Sequence, residues 1–573
     1  MKKKELLLLL IVVTFACFIR LFMLSSVPDG FNQDEASFGY NAYSILKTGK
    51  DEYGRVVPIV LESFGDNKLA LFSYWLIPFI GILGLSEFSV RLGIVVAGIL
   101  SLIITYVLVK ELFRNKKLAL LTTFILSITP WHFVFSRYAS ETMLALLFYL
   151  VSVLLFCLWF RSNNFYYFLF CIIMLLFSTL SYYSSWTPII FTICVYSLIL
   201  IRKEKIISLI IKKIIILSIP IVIILALLMS SGRRVRQINI LEHSNAYPLL
   251  QEQIREDQLK FPINITRLFH NKLTFYPSFI LNALSKNLSF DFLFLSGDKP
   301  ENKFSIPYNG VLYLWLSPFL FIGFIYLFKK KSIEFNLVLY GLIFSVFIGS
   351  ALSVYGSESQ RSIIAAPIFC LVCSYGILTI LKHMKKEWIF VLLFLIYGSL
   401  IFYQIANFNH QYFWHAQVHT PWFNNYGEKE MVQTLELLKS KYREVIIAGN
   451  PYIFSYFFNK EDPKMAQLES DEIRTNELGY RFRVKLGDYL LMPLDCPAAG
   501  KLKTLYICKG NKIPKNSHII KIIRYRDGQP AYIFLEFMPQ VSGETPPINL
   551  NYMTKYGIIS DQESINWLRE DQL

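Results

Sequence analysis

The reading of one run, LALFSYWLIPFIGILGL at Leu69–Leu85, decides the fold. A bilayer span takes about 20 apolar residues, and this run is both short and interrupted by Pro78. Were it to cross, every later loop would invert, and the basic clusters RNKK at 114–117, RKEK at 202–205 and KKK at 329–331 would all face outward. Read as an interfacial or re-entrant helix, it leaves these clusters, with KK at 212–213 and KHMKK at 382–386, on the cytoplasmic side, as the positive-inside rule requires.

The surrounding chain has the composition of a polytopic membrane protein. Of 573 residues 54% are hydrophobic and only 17% charged, with a mean hydropathy of +0.44. The formal net charge of +16 would suit nucleic acid, but much of the excess lies in the short loop clusters, so no nucleic-acid partner is expected. The opening MKKKELLLLLIVVTFACFIRLFML has a signal-peptide start without a small-residue cleavage site, and reads as a retained signal anchor. Spans are expected near 5–25, 88–110, 118–136, 141–160, 165–182, 186–201, 214–230, 306–328, 334–354, 362–381 and 388–405, about 11 in all. The N-terminus is then cytoplasmic, the C-terminus outside, and the location the plasma membrane.

Three sizeable parts fall outside: a first loop at about 26–87, a second at about 231–305, and a tail at 406–573. The tail alternates helical and strand patterns, as in EKEMVQTLELLKSKY followed by REVIIAG, and is expected to be a soluble extracytoplasmic α/β domain beside an all-α membrane domain of residues 1–405. Cys496 and Cys508 lie in this tail and are free to pair if it is extracytoplasmic. Cys370 and Cys373 form a CxxC inside an apolar run with no second ligand pair nearby, so no metal site is assigned; divalent-metal dependence stays open and no cofactor is expected.

The chemistry-bearing residues lie where the chain leaves the first span. FNQDEASFGYNAYSIL at 31–46 puts Phe38, Ala42 and Ile45 on one helical face, the pattern of an amphipathic helix on the membrane surface. Its acids, Asp34 and Glu35, have an ordinary explanation: Asn32 as N-cap, Glu35 closing a capping box, and Asp34 favouring the helix dipole. Cations weigh against that explanation alone. Lys68, Arg91, Arg137 and Arg361 stand at outer ends of apolar runs and Arg20 in the outer third of the first, which suits a membrane-held anion better than snorkelling alone. His132, beside Trp131, reads as an interfacial belt residue, and His410, His415 and His419 as part of an aromatic collar.

The first loop, from FNQDEASFGYNAYSILKTGKDEYGRVVPIVLESFGDNKLALFSYW to EFSVRL, resembles the family 39 type of lipid-carrier-dependent glycosyltransferases. These are relatives of protein O-mannosyltransferases and of the lipid A aminoarabinose transferase, all with the GT-C membrane fold. TPWHFVFSRYASE at 129–141, LSFDFLFLSGDKP at 288–300 and SQRSIIAAP at 359–367 resemble later blocks in the same order, so the resemblance covers about 1–405. It implies a polyprenyl-phosphate-linked sugar donor, an extracytoplasmic acceptor, and an essential first-loop acid matching Asp34, followed by Glu35 in the same pair. Lys68 matches a lysine that contacts donor phosphate, although Leu69 stands where relatives have proline; Arg137 and Arg361 match outer-end arginines and are the next candidates for binding the donor phosphate. Tyr40, Asp66 and Asp298 are further substrate-binding candidates, with an ordinary turn role open for both aspartates. Two other classes compete with an enzyme. A lipid-linked-sugar flippase predicts charge at mid-membrane, where these spans are apolar, and a non-catalytic scaffold leaves the acid pair and the cations unexplained.

Overall fold

The computed structural model describes residues 3–204, 206–230, 246–298, 304–352, 358–383, 387–419, 425–449, 451–468, 473–475, 481–483, 485–486, 489–492, 495–509 and 513–538. The first part of the expected second loop, 231–245, lies outside them, as do the last residues of the tail. The chain forms two compact units: Met1–Leu24 with Arg91–Phe413, and Ser25–Val90 with Trp414–Leu573.

Among its described residues the first unit is helical, without strands. Among the described residues five helices are long and apolar enough to cross a membrane: Glu87–Phe113, Thr142–Ser162, Tyr183–Lys203, Ile207–Met229 and Ile363–His383. Prolines decide where the other apolar runs break. The expected span 118–136 is two helices, Lys116–Ile128 and Pro130–Phe135, because Thr129 before proline is extended (φ −60°, ψ 130°) and Pro130 opens the second helix. The run 306–328 becomes α-helical only at Ser317–Lys330, where Pro318 occupies the first turn. Small residues set the closest helix approach: a Cβ on Gly323 would lie 2.1 Å from the Val372 carbonyl, and one on Gly376 2.1 Å from that of Phe319.

In the second unit, the Leu69–Leu85 run forms the helix Leu71–Leu83, with Pro78 inside it. Its 13 residues rise about 20 Å, too little for a hydrocarbon core of about 30 Å. Before it stand the helix Gln33–Thr48 and a hairpin of strands β1 (Val60–Ser63) and β2 (Asp66–Leu69). The 33–48 helix buries Phe38, Ala42 and Ile45 as its pattern requires, but it is no surface-lying amphipathic helix. Glu35, Ser37, Tyr40, Asn41 and Ser44 are buried as well, because neighbours cover it on more than one side. The Phe38 ring meets that of Phe72 edge-on at 5.1 Å, and a Cβ on Gly39 would lie 2.7 Å from both the Phe457 ring and Val90.

The tail supplies the α/β domain. The strands β3 (Glu444–Ala448), β6 (Lys485–Leu486), β7 (Tyr489–Met492), β8 (Thr504–Cys508), β9 (Ser517–Arg524) and β10 (Pro530–Phe537) form a six-stranded sheet in the order β6-β7-β3-β8-β10-β9, while β4 (Ile473–Thr475) and β5 (Arg481–Arg483) pair separately. β3 runs parallel to β7 and β8, and β10 antiparallel to β8 and β9. One core joins Ile446, Ala448, Met492, Tyr506, Cys508, Ile533, Leu535 and Phe537. Cys496 and Cys508 are joined in a disulfide, with Cα atoms 5.0 Å apart.

Candidate functional site

The helix Gln33–Thr48 begins as its sequence dictates. The Asn32 side chain accepts from the Asp34 N–H at 2.9 Å, and Glu35 Oε2 accepts from the Asn32 N–H at 3.1 Å, so the capping box is formed. The cap occupies Glu35, which is fully buried, and leaves the Asp34 carboxylate directed elsewhere. Asp34 Oδ1 lies 2.5 Å from Lys68 Nζ, an ion pair in which the lysine is 3% exposed and the aspartate 25%. The structure thus unites the expected base and the expected phosphate-binding lysine across 34 residues of chain.

A buried ammonium needs more than one partner, and aromatic faces contribute. Lys68 Nζ lies 4.1 Å from the centroid of Phe64 and 5.2 Å from that of Phe38. Phe64 and Gly65 form the two-residue turn between β1 and β2, with φ of +39° and +82°. Two successive positive φ values suit the right-handed twist of a hairpin, but a bulky aromatic bears the left-handed conformation at a cost that glycine avoids. Sequence reading overlooked Phe64; the signal was ESFGD, a hydrophobic residue immediately before glycine at a turn.

Tyr40 is fully buried in the same unit, its hydroxyl donating to the Glu461 carbonyl at 3.2 Å and its ring 5.2 Å from that of Tyr456. Asp66 opens β2 opposite Ser63, and its side chain lies outside the described residues.

Arg137, Asp298 and Arg361 belong to the first unit. Arg137 is buried, donates to the carbonyls of Ile19 (3.0 Å) and Arg20 (2.6 Å) and to the Tyr412 hydroxyl (3.2 Å), and lies 5.2–5.5 Å from the rings of Phe133, Tyr412 and Phe413. It closes the C-terminal end of the first helix, where carbonyls lack helical partners. Arg20 donates to Ser136 Oγ (2.7 Å) and to the Ser127 carbonyl (3.0 Å), and Arg91 to the Leu24 carbonyl (3.2 Å). His132 is not an interfacial belt residue: it is fully buried, 3.0 Å from Arg20 Nη2 and 2.8 Å from Ser101 Oγ, because every residue of the short Pro130–Phe135 helix is buried.

Asp298 joins two of the sequence blocks. Its carboxylate accepts from the Ser359 N–H at 2.7 Å and from the Ser359 hydroxyl, while the Ser359 carbonyl accepts from Trp131 Nε1 at 2.8 Å. Burial raises Asp298 to about 7 against the pull of the two Ser359 hydrogen bonds, with Glu358 adding to the rise. Two residues beyond Ser359, Arg361 Nε lies 2.6 Å from Glu358 Oε2. Among the described residues no cluster of three His, Cys, Asp or Glu is arranged to hold a metal ion.

The dolichyl-phosphate-mannose-protein mannosyltransferase family profile matches residues 68–230, which takes in Lys68 and Arg137 but not Asp34, Asp298 or Arg361. Among solved structures, ArnT from Cupriavidus metallidurans bound to undecaprenyl phosphate is similar over 95% of this chain and 100% of its own, with 9% identity and a TM-score of 0.50. The archaeal oligosaccharyltransferase AglB from Archaeoglobus fulgidus, in complex with an inhibitory peptide and a dolichol-phosphate, is 11% identical over 80% of this chain, with a TM-score of 0.47. This chain spans 64% of the length of AglB. No curated protein sequence matches. The ArnT likeness shows the fold.

Proposed function

We propose that the chain is an integral membrane glycosyltransferase that moves one sugar from a polyprenyl-phosphate carrier to an extracytoplasmic hydroxyl on a protein, lipid or envelope polymer. The observation that carries this reading is the Asp34–Lys68 pair: a part-exposed carboxylate 2.5 Å from a buried ammonium in a first loop of the expected type. A fold shared with a structure that holds undecaprenyl phosphate supports it, as does the family match that begins at Lys68.

In this reading the acceptor oxygen attacks the anomeric carbon as the bond from that carbon to the phosphate oxygen breaks, and the acceptor proton passes to Asp34. A single displacement inverts the anomeric configuration. Lys68 exchanges Asp34 for the donor phosphate and stabilises the charge that gathers on the leaving polyprenyl phosphate. Arg361, which pairs with Glu358 in the first unit, is a further candidate cation for a phosphate. Arg137 contributes fixed positive charge to the membrane unit, and Tyr40, Asp66 and Asp298 shape the substrate sites. An apolar cavity of about 1060 Å³, lined by Phe290, Phe294, Phe324, Tyr340, Phe344 and Phe369, has room for part of an isoprenoid tail. The reading has about 11 spans, a cytoplasmic N-terminus and the 406–573 domain outside the plasma membrane, as the loop charges favour.

Purified protein supplied with a polyprenyl-phosphate sugar and a mixture of envelope acceptors tests the proposal. Release of free polyprenyl phosphate that stops in Asp34→Asn is expected. Movement of intact donor across the bilayer without release would identify a flippase instead.

A further inference from the structure

The tail's helix Tyr452–Asn459 is buried for most of its length within the unit that contains the first loop. The Tyr452 hydroxyl accepts the Phe64 N–H at 2.7 Å and lies 3.3 Å from both Ser63 Oγ and Glu52 Oε1 and 3.2 Å from the Tyr53 hydroxyl. A phenol has one proton to give and lone pairs to receive, so a single atom ties the β1–β2 turn to the preceding turn of the loop. Burial, reinforced by the Glu52 charge, raises Tyr452 well above the usual phenol range, which keeps that proton in place.

The amide that Tyr452 engages belongs to the strained residue of the turn. Phe64, at φ +39°, presents its ring to Lys68 Nζ at 4.1 Å, and Lys68 reaches Asp34 at 2.5 Å. A bulky side chain persists in such a conformation where its surroundings fix it, and a 2.7 Å bond to its own N–H is such a constraint. The rest of the Tyr452–Asn459 helix supports the other half of the pair: Phe457 packs against Phe31 at 4.6 Å, just before the N-cap of the helix carrying Asp34, and Tyr456 packs against Tyr40.

We infer that Tyr452, in the C-terminal domain, is a positioning residue that seats Lys68 by holding the Phe64–Gly65 turn. The tail is thus a template for the first loop and not an independent appendage. The inference rests on the proposed role of the Asp34–Lys68 pair for its catalytic consequence, but its structural half is measurable without any activity.

The experiment uses full-length protein in lipid nanodiscs with two variants, Tyr452→Phe and Phe64→Gly. The first removes only the hydroxyl. The second places glycine where φ is positive, so the turn is preserved while the ring that seats Lys68 is lost. The direct readout is labelling of Lys68 by an amine reagent, quantified by mass spectrometry beside the thermal midpoint and kcat. Both variants are expected to label Lys68 at least fivefold faster than wild type and to lower kcat about tenfold, with midpoints within a few degrees of wild type. Wild-type labelling of Lys68 in a folded Tyr452→Phe protein, or in Phe64→Gly if Tyr452→Phe does not fold, overturns the inference. So does faster labelling of all lysines together, which signals general loosening. If neither wild type nor variants transfer sugar while Lys68 labelling still rises selectively, the positioning stands and the glycosyltransferase reading falls.

Discussion

Lys68 and Arg137 were expected to do similar work, and the protein gives them opposite surroundings. The lysine lies between a part-exposed carboxylate and two aromatic rings, an arrangement in which one strong partner can be exchanged for another anion. The arginine donates to the carbonyls of Ile19 and Arg20 and to Tyr412, beside aromatic rings. Backbone carbonyls at a helix end cannot leave without unwinding the helix. A cation paired with a part-exposed side-chain carboxylate can exchange it for another anion, whereas bonds to main-chain oxygens at a helix end hold a cation to the structure.

The largest effect that tests this contrast is on the acid. Asp34→Asn keeps the shape beside Lys68 but cannot take a proton, so transfer should fall by about 10²–10⁴-fold while the protein still folds. Near-normal transfer in a folded variant would return Asp34 to a structural role at the helix N-terminus. Glu35→Gln should be far milder, because glutamine can also accept from the Asn32 N–H in the capping box.

Next comes the cation contrast itself. Lys68→Met should weaken donor use by roughly ten- to a hundredfold, the loss of one charge-assisted contact worth about 1.5–3 kcal/mol, with little change in the thermal midpoint. Arg137→Met should do the reverse, lowering the midpoint and the yield of folded protein before it alters donor kinetics in what remains. Donor titrations and melting curves on both variants check this. Identical profiles would dissolve the distinction between exchangeable and fixed partners.

Much of the architecture was legible because it follows from local rules. Pro78 and the short run around it gave the helix Leu71–Leu83, the Asn32–Glu35 spacing gave the capping box, and the 428–449 patterns gave the helix Glu428–Leu438 followed by β3. The Asp34–Lys68 meeting was legible only through resemblance, since nothing local predicts which strand of a hairpin returns to a helix start. What escaped were contacts of long sequence separation. Tyr452 holds Phe64 across 388 residues, and His132 holds Arg20 across 112. A tyrosine in a polar tail carries no mark of such a partner and was not singled out, and a histidine beside tryptophan was read by its neighbour in sequence.

A smaller effect concerns the tail as template. Replacing both Cys496 and Cys508 by serine removes a cross-link of sequence separation 12, worth about 3 kcal/mol by loop-closure arguments, to the C-terminal domain. Limited proteolysis should then open the 495–509 segment first. Thiol labelling of untreated cells, with and without a membrane-impermeant reductant, should reach the pair from outside. Labelling only after lysis would invert the expected topology.

The smallest effect comes from Asp298, which resembles Asp34 in charge but not in setting. Burial raises its folded-state value to about 7 from an ordinary 3.8. The folded state therefore holds a proton that the unfolded chain releases between those values, and stability falls as pH rises from about 4 through 7. Asp298→Asn copies the protonated form and can still accept from the Ser359 N–H, so it removes this slope. The wild-type midpoint should drop relative to the variant between pH 5 and 8, by roughly 2 °C in a chain of this size. A variant whose midpoint tracks wild type across that range would mean that the Asp298 carboxylate is already ionised in the folded protein, stabilised there by its Ser359 bonds against the cost of burial. Asp298 would then stand with Arg137, and not with Lys68, as a buried charge fixed by a main-chain partner.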